Sequence, residues 1–157
     1  GRHDARLFDE MLDWLRANGW LIHVMRLKRI LRTERFRGQL VLGAVAGLLA
    51  KGAATPKWKQ LADLSEDAPE KEKLFFGEDG RPIPMIGEPE PTFARRGLER
   101  GPLRLREYSR EFRPTDPATP VLQLRALLGI NVRCEIVLYL LTHDSAHPSQ
   151  IAREAYV

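Results

Sequence analysis

Apolar side chains recur at helical spacing over Leu7, Phe8, Met11, Leu12 and Leu15, and Asn18-Gly19 follows. The spacing predicts an amphipathic helix, with glycine as its stop because glycine tolerates a left-handed cap. Trp20, Val24, Leu27 and Leu31 then fall four, three and four apart. They predict a second helix, flanked by Lys28, Arg32 and Arg35 and running to Arg35 or Arg37. A short strand over Trp20 to Met25 fits the start of the same segment. Gln39 to Ala54 is apolar nearly all round, with Gly43 and Gly47 four apart. Small residues at that spacing admit a close neighbour, so this segment reads as a buried central helix or a subunit interface. Thr55-Pro56 opens a further short helix through Trp58 and Leu61, proline being well placed in a first helical turn.

The pattern changes at Ser65. Nine of the eleven prolines lie between Ser65 and Pro120, behind an acidic entrance that includes Glu66-Asp67, Glu70 and Glu72. Phe75-Phe76, the turn Gly77-Glu78-Asp79-Gly80 and Pro82-Ile83-Pro84-Met85-Ile86 read as a short hairpin around Asp-Gly. Its prolines confine the second arm to a sheet edge. Arg81 to Pro91 is otherwise extended, and the clusters Phe75-Phe76 and Met85-Ile86 imply that the belt wraps on a helical part. Pro114 to Pro120 reads as a hinge, and Val121 begins the last helical unit. The expected fold is therefore mainly α in three segments. These are an N-terminal helical region for dimerisation or sensing (1–64), a proline-rich connector with a β-hairpin (65–120) and a C-terminal helical domain (121–157).

Charge adds an asymmetry. The net charge is +4, but residues 1–63 carry twelve Lys/Arg against six Asp/Glu, 64–80 carry two against six, and 81–157 carry eleven against nine. Most of the N-terminal excess lies in Arg26, Lys28, Arg29, Arg32, Arg35 and Arg37. Such local density attracts polyanions, although a solvated helix face has the same composition. The single cysteine, Cys134, excludes an intramolecular disulfide and reads as a small core residue. No secretory signal is visible. The longest apolar run, Leu40 to Ala50, is broken at Lys51, short of the ~20 residues a membrane span needs. A cytoplasmic protein without a membrane partner is expected.

The closing segment carries the functional expectation. After a short turn with Asn131, Arg133 opens an apolar helix with a stripe of Ile136, Val137, Leu140 and Leu141. A polar break, Thr142-His143-Asp144-Ser145-Ala146, precedes a second helix start at His147-Pro148-Ser149-Gln150-Ile151-Ala152-Arg153-Glu154. Pro148 suits the first helical position and Gln150 the capping-box position, and Ile151 is expected to share a core with Leu140. Leu124 to Val157 resembles the core helices of arsenic-repressor-type (ArsR-like) and related bacterial winged helix-turn-helix regulators. The resemblance implies a C-terminal winged helix-turn-helix domain, incomplete in this chain. Its recognition helix and β-wing are expected beyond Glu154, where only Ala155-Tyr156-Val157 remain. It implies phosphate contacts from Ser149 and Gln150, with Arg153 further along.

Enzyme chemistry finds no support in the residues. There is no glycine-rich phosphate loop before a helix, no HExxH and no nucleophile elbow. His143 and His147 stand four apart, but across a turn and a helix cap and without a second ligand pair, so no metal or cofactor is expected. His23 has no nucleophile beside it, and Glu88 and Glu90 lie in a stretch unsuited to fixing paired carboxylates. The expectation is a non-enzymatic DNA-binding protein, a bacterial transcriptional regulator acting as a homodimer on double-stranded DNA. Arg26, Lys28, Arg29 and Arg32 would add phosphate contacts to Ser149, Gln150 and Arg153. The residues name no small-molecule effector. The competing expectation is a non-catalytic protein–protein interaction module on a winged-helix scaffold.

Overall fold

A computed structural model describes residues 2–34, 38–52, 56–64, 70–115 and 119–157. Arg35 and Arg37, Thr55 at the expected helix start, the acidic pair Glu66-Asp67 and the middle of the expected hinge at 116–118 lie outside the described residues. The fold is mainly helical. Among the described residues there are eight α-helices, a 3-10 turn and two two-residue strands. They form two compact units, one of Gly1–Ala17 with Phe36–Arg110, the other of Asn18–Arg35 with Glu111–Val157. This division cuts across the consecutive segments expected from sequence, because the basic second helix clusters with the C-terminal helices.

In the first unit, α1 (Ala5–Asn18) buries Phe8 and Leu12, while Leu7 and Met11 stay exposed. The buried face is narrower than its apolar spacing suggests because two of its carboxylates also have inward duties. Asp9 pairs with Arg100, and Asp13 is buried beside the 107–109 backbone. The helix does end at Asn18, but without the expected glycine cap. Gly19 is not among the residues with positive φ; it enters a buried 3-10 turn, Gly19–Leu21. The apolar helix α3 (Gln39–Ala50) packs on α4 (Pro56–Ala62), burying Trp58 and Leu61, and on α5 (Pro91–Ala94). A Cβ on Gly47 would stand 3.2 Å from Thr92 Cγ2 and 3.3 Å from Arg96 Nη1, so the glycine serves a close contact within the chain.

The belt after Glu70 supplies β1 (Glu72–Lys73), paired in parallel with β2 (Leu98–Glu99) in the register Glu72–Leu98 and Lys73–Glu99. The expected hairpin is reduced to one antiparallel bridge, Phe76 with Pro82, around a turn whose Gly80 has φ +75°. Proline cannot donate to a ladder, which keeps the second arm from extending. Phe8, Phe75 and Phe93 meet edge to face, with centroids 5.6 and 6.0 Å apart. Arg100 lies over all three rings at 5.3 to 5.9 Å and donates two hydrogen bonds to Asp9, at 2.8 and 3.2 Å. A cation in an aromatic core is tolerable only because its carboxylate partner accompanies it.

The second unit contains α2 (Val24–Thr33), α6 (Pro120–Leu128), α7 (Val132–Leu140) and α8 (Pro148–Glu154). α2 starts later than its apolar spacing predicts, because His23 caps it, and Trp20 is left exposed outside the helix. Gly129, at φ +76°, ends α6. Asn131 accepts the Cys134 N–H and starts α7.

Candidate nucleic-acid interface

α7 and α8, joined by residues 141–147, pack against each other around a small core. Tyr139, Ile151 and Ala155 are buried together, with Ile136, Ala146 and Val157 packed against them. Ile151 therefore packs on Tyr139. The sequence-based expectation paired it with Leu140, which is exposed along with Val137 and Leu141. The inward face of α7 is Cys134, Glu135 and Tyr139, rotated from the expected apolar stripe. His147 caps α8 by accepting the Ser149 N–H at 3.3 Å, and Pro148 occupies the first turn. Gln150 does not complete a capping box. It turns instead toward Tyr139 and Glu154, whose side chains share a hydrogen bond of 2.6 Å. That bond raises the Tyr139 hydroxyl pKa and lowers that of the Glu154 carboxyl.

All seven sequence-predicted contact residues lie on α2 and α8, within the second unit. Their situations differ. Arg32 is exposed and Lys28 is half-buried. Arg29 is exposed and donates to the Tyr156 carbonyl at 3.3 Å, so it stands at the C-terminal end of α8. Tyr156 donates its hydroxyl to Glu34 at 2.8 Å, a second tie between α2 and that end. Arg153 is exposed beside Glu154 at 3.5 Å. Ser149 is exposed, with its hydroxyl 2.8 Å from His147 Nδ1, and Gln150 is half-buried.

Arg26 has another role. Its Nη1 donates to Glu135 Oε2 at 2.8 Å, and Arg125 donates to Glu135 Oε1 at 2.8 and 3.0 Å. Arg125 also reaches the Leu21 carbonyl at 3.3 Å. The Glu135 side chain is 1 % exposed, and this Arg–Glu–Arg triad joins α2, α6 and α7. Sequence reasoning missed Glu135 and Arg125. The available signal was an acid inside the otherwise apolar run of α7. A cleft of about 200 Å³ adjoins the triad, lined by Arg26, Arg125, Glu135, Tyr139, Thr142 and Glu154 among others.

Three of the four histidines make local structural contacts. His143 stacks on Tyr139 at 3.9 Å, and His147 caps α8. Among the described residues no group of three or more His, Cys, Asp and Glu gathers as a metal site. Burial pushes the Cys134 thiol up, away from the reactive thiolate. His23 Nδ1 accepts the Arg26 N–H at 3.1 Å, and burial holds its pKa below the ordinary 6.5 against the opposing pull of Glu135. The unfolded chain therefore takes up this proton first, and the cap's contribution is full above the ordinary value. It is lost as pH falls from there through the lowered folded value. In His23→Asn, which keeps an acceptor, urea titrations across that window should show a smaller acid-side loss of stability. An identical loss would remove His23 from the pH response.

No helix among the described residues is long and apolar enough to cross a membrane. No family model, curated protein or solved structure matches the chain.

Proposed function

We propose that the protein is a bacterial, cytoplasmic transcriptional regulator that binds double-stranded DNA as a homodimer, and that α7 and α8 belong to a winged helix-turn-helix domain. The observation that carries this reading is the pair α7–α8, locked by Tyr139 and Ile151, with α2 tied to the C-terminal end of α8 through Arg29 and Tyr156. Exposed Arg29, Arg32 and Arg153, with Lys28 and the Ser149 hydroxyl, are the phosphate contacts. Gln150 supports them from the Tyr139–Glu154 pair, and Arg26 holds α2 in place through Glu135. Contacts of this kind position a protein on the duplex; base reading belongs to a recognition helix.

Each phosphate neutralised adds roughly −0.9 to the slope of log affinity against log salt. Charge reversal at both Arg29 and Arg32 should therefore flatten the slope for a duplex by roughly 1.8. Anisotropy titrations at several salt concentrations measure it, and an unchanged slope confines the two cations to a structural role.

A docking module is the second reading, favoured by the exposed apolar side chains Leu127, Leu128, Val137, Leu140 and Leu141 on and beside α6 and α7. Salt-independent binding to a protein partner, with no duplex affinity, would establish it in place of the first.

A further inference from the structure

The first unit has a groove of its own, of about 460 Å³, between α1 and the segment 104–109. Its α1 wall carries Arg6, Asp9, Glu10 and Asp13, and its other wall carries Arg104, Arg106, Tyr108 and Ser109. The segment forms neither helix nor strand, yet exposure alternates along it: Leu103 and Leu105 are half-buried, Arg104 and Arg106 exposed. Alternation of that kind places side chains two residues apart on one face.

The acids of this region already have partners. Asp9 binds Arg100, and Glu10 lies 3.1 Å from Arg6. The buried Asp13 carboxylate accepts the N–H groups of Glu107 and Ser109 at 3.2 and 3.0 Å. Glu107 itself is 3.7 Å from Arg16. Among the described residues, neither Arg104 nor Arg106 has such a partner. The groove thus holds two guanidinium groups without a carboxylate partner, across from the Asp13 carboxylate that only backbone N–H groups bind, and beside them Tyr108 is 79 % exposed.

The display is also held in place. Glu107 has φ +55°, a conformation unfavourable for a residue with a Cβ, which persists only where its surroundings impose it. Asp13 imposes it by binding the N–H groups on either side of Tyr108. The exposed ring is therefore carried by a braced stretch of backbone, with two guanidinium groups along the same groove. Residues two apart in extended chain are separated by about 6–7 Å, of the order of the step between neighbouring phosphates on a stretched strand. Unpaired guanidinium groups suit phosphate, and an exposed aromatic face suits an unpaired base.

We propose that this groove binds single-stranded nucleic acid, with Arg104 and Arg106 on consecutive phosphates and Tyr108 stacked on a base. Duplex DNA offers no free base face for Tyr108, so this site is separate from the duplex interface proposed for α2 and α8 and does not depend on it.

The experiment uses the full chain and a fluorescein-labelled oligodeoxythymidine of about twelve nucleotides, within the length such sites cover. Tyr108→Ala should weaken binding roughly tenfold, and Tyr108→Phe, which keeps the ring, should bind like the parent protein. Arg104→Gln with Arg106→Gln should flatten the salt slope by about 1.4, two single-strand phosphates at −0.7 each. All three side chains are exposed, and circular dichroism of each variant verifies the fold. These variants should leave duplex affinity unchanged, and Arg29→Glu with Arg32→Glu should leave oligodeoxythymidine affinity unchanged, so either site can fail alone. The proposal is overturned if the oligonucleotide does not bind, if Tyr108→Ala and the double glutamine variant bind it like the parent, if Tyr108→Phe loses as much as Tyr108→Ala, or if the α2 variant abolishes the binding.

Discussion

Glu135→Ala is expected to destabilise the protein by about 3–5 kcal/mol, the cost of leaving a buried charge without its partner. The Glu135 side chain is 1 % exposed and is the shared acceptor of two guanidinium groups. Without it, Arg125, 11 % exposed, and Arg26, 30 % exposed, face each other with no anion between them. Neither can escape by losing a proton, since arginine stays charged at any pH a protein survives. Arg26 Nε is already buried without a hydrogen-bond partner among the described residues. A loss of this size is a large part of the ~5–15 kcal/mol by which domains are stable. Urea titration by circular dichroism should show a lower midpoint with little change in slope. A loss below about 1 kcal/mol would mean that water reaches the triad and compensates both cations. Glu135→Gln separates charge from shape. It keeps an acceptor and most of the volume, and should still be markedly less stable than the parent.

Arg100→Ala is the second large effect, again about 3–5 kcal/mol, in the first unit. Two contributions add there. The substitution leaves Asp9 without its bidentate partner, and it removes the cation that lies over Phe8, Phe75 and Phe93. Cation–π contacts are worth about 0.5–2 kcal/mol each when desolvated. The Asp9 side chain is 20 % exposed and regains some water, which holds the total within that range. Arg100→Lys keeps the charge but loses the planar fork, so it should recover only part of the loss. The same urea titration orders the three proteins, and equal stability of Arg100→Lys and the parent would show that charge alone matters there.

The features legible in the residues were the local ones. Helical periodicity predicted α1, α3 and α4, and the Asp79-Gly80 turn and Pro148 start were visible because a turn or a cap is decided within a few residues. The same periodicity misjudged faces. In α7 it selected Val137, Leu140 and Leu141 as the buried stripe, whereas Cys134, Glu135 and Tyr139 face inward. The outward face is the more apolar of the two, and the inward face is chosen by partners elsewhere in the chain, the arginines that meet Glu135 among them. Arg26 shows the limit for charge. Its sequence neighbours mark it as one of a basic cluster, but its acid stands 109 residues away.

Composition and near neighbours were enough for the helical class, the end of α1 at Asn18, the starts of α4 and α8, and the concentration of positive charge in Arg26 to Arg37. Long-range packing was needed to group α2 with the C-terminal helices, to bury Glu135 between two arginines, and to set Asp13 against the backbone on either side of Tyr108. Those outcomes rest on contacts between residues 10 to 109 positions apart. Which carboxylate meets which guanidinium or amide is settled by chain packing, and no local pattern encodes it.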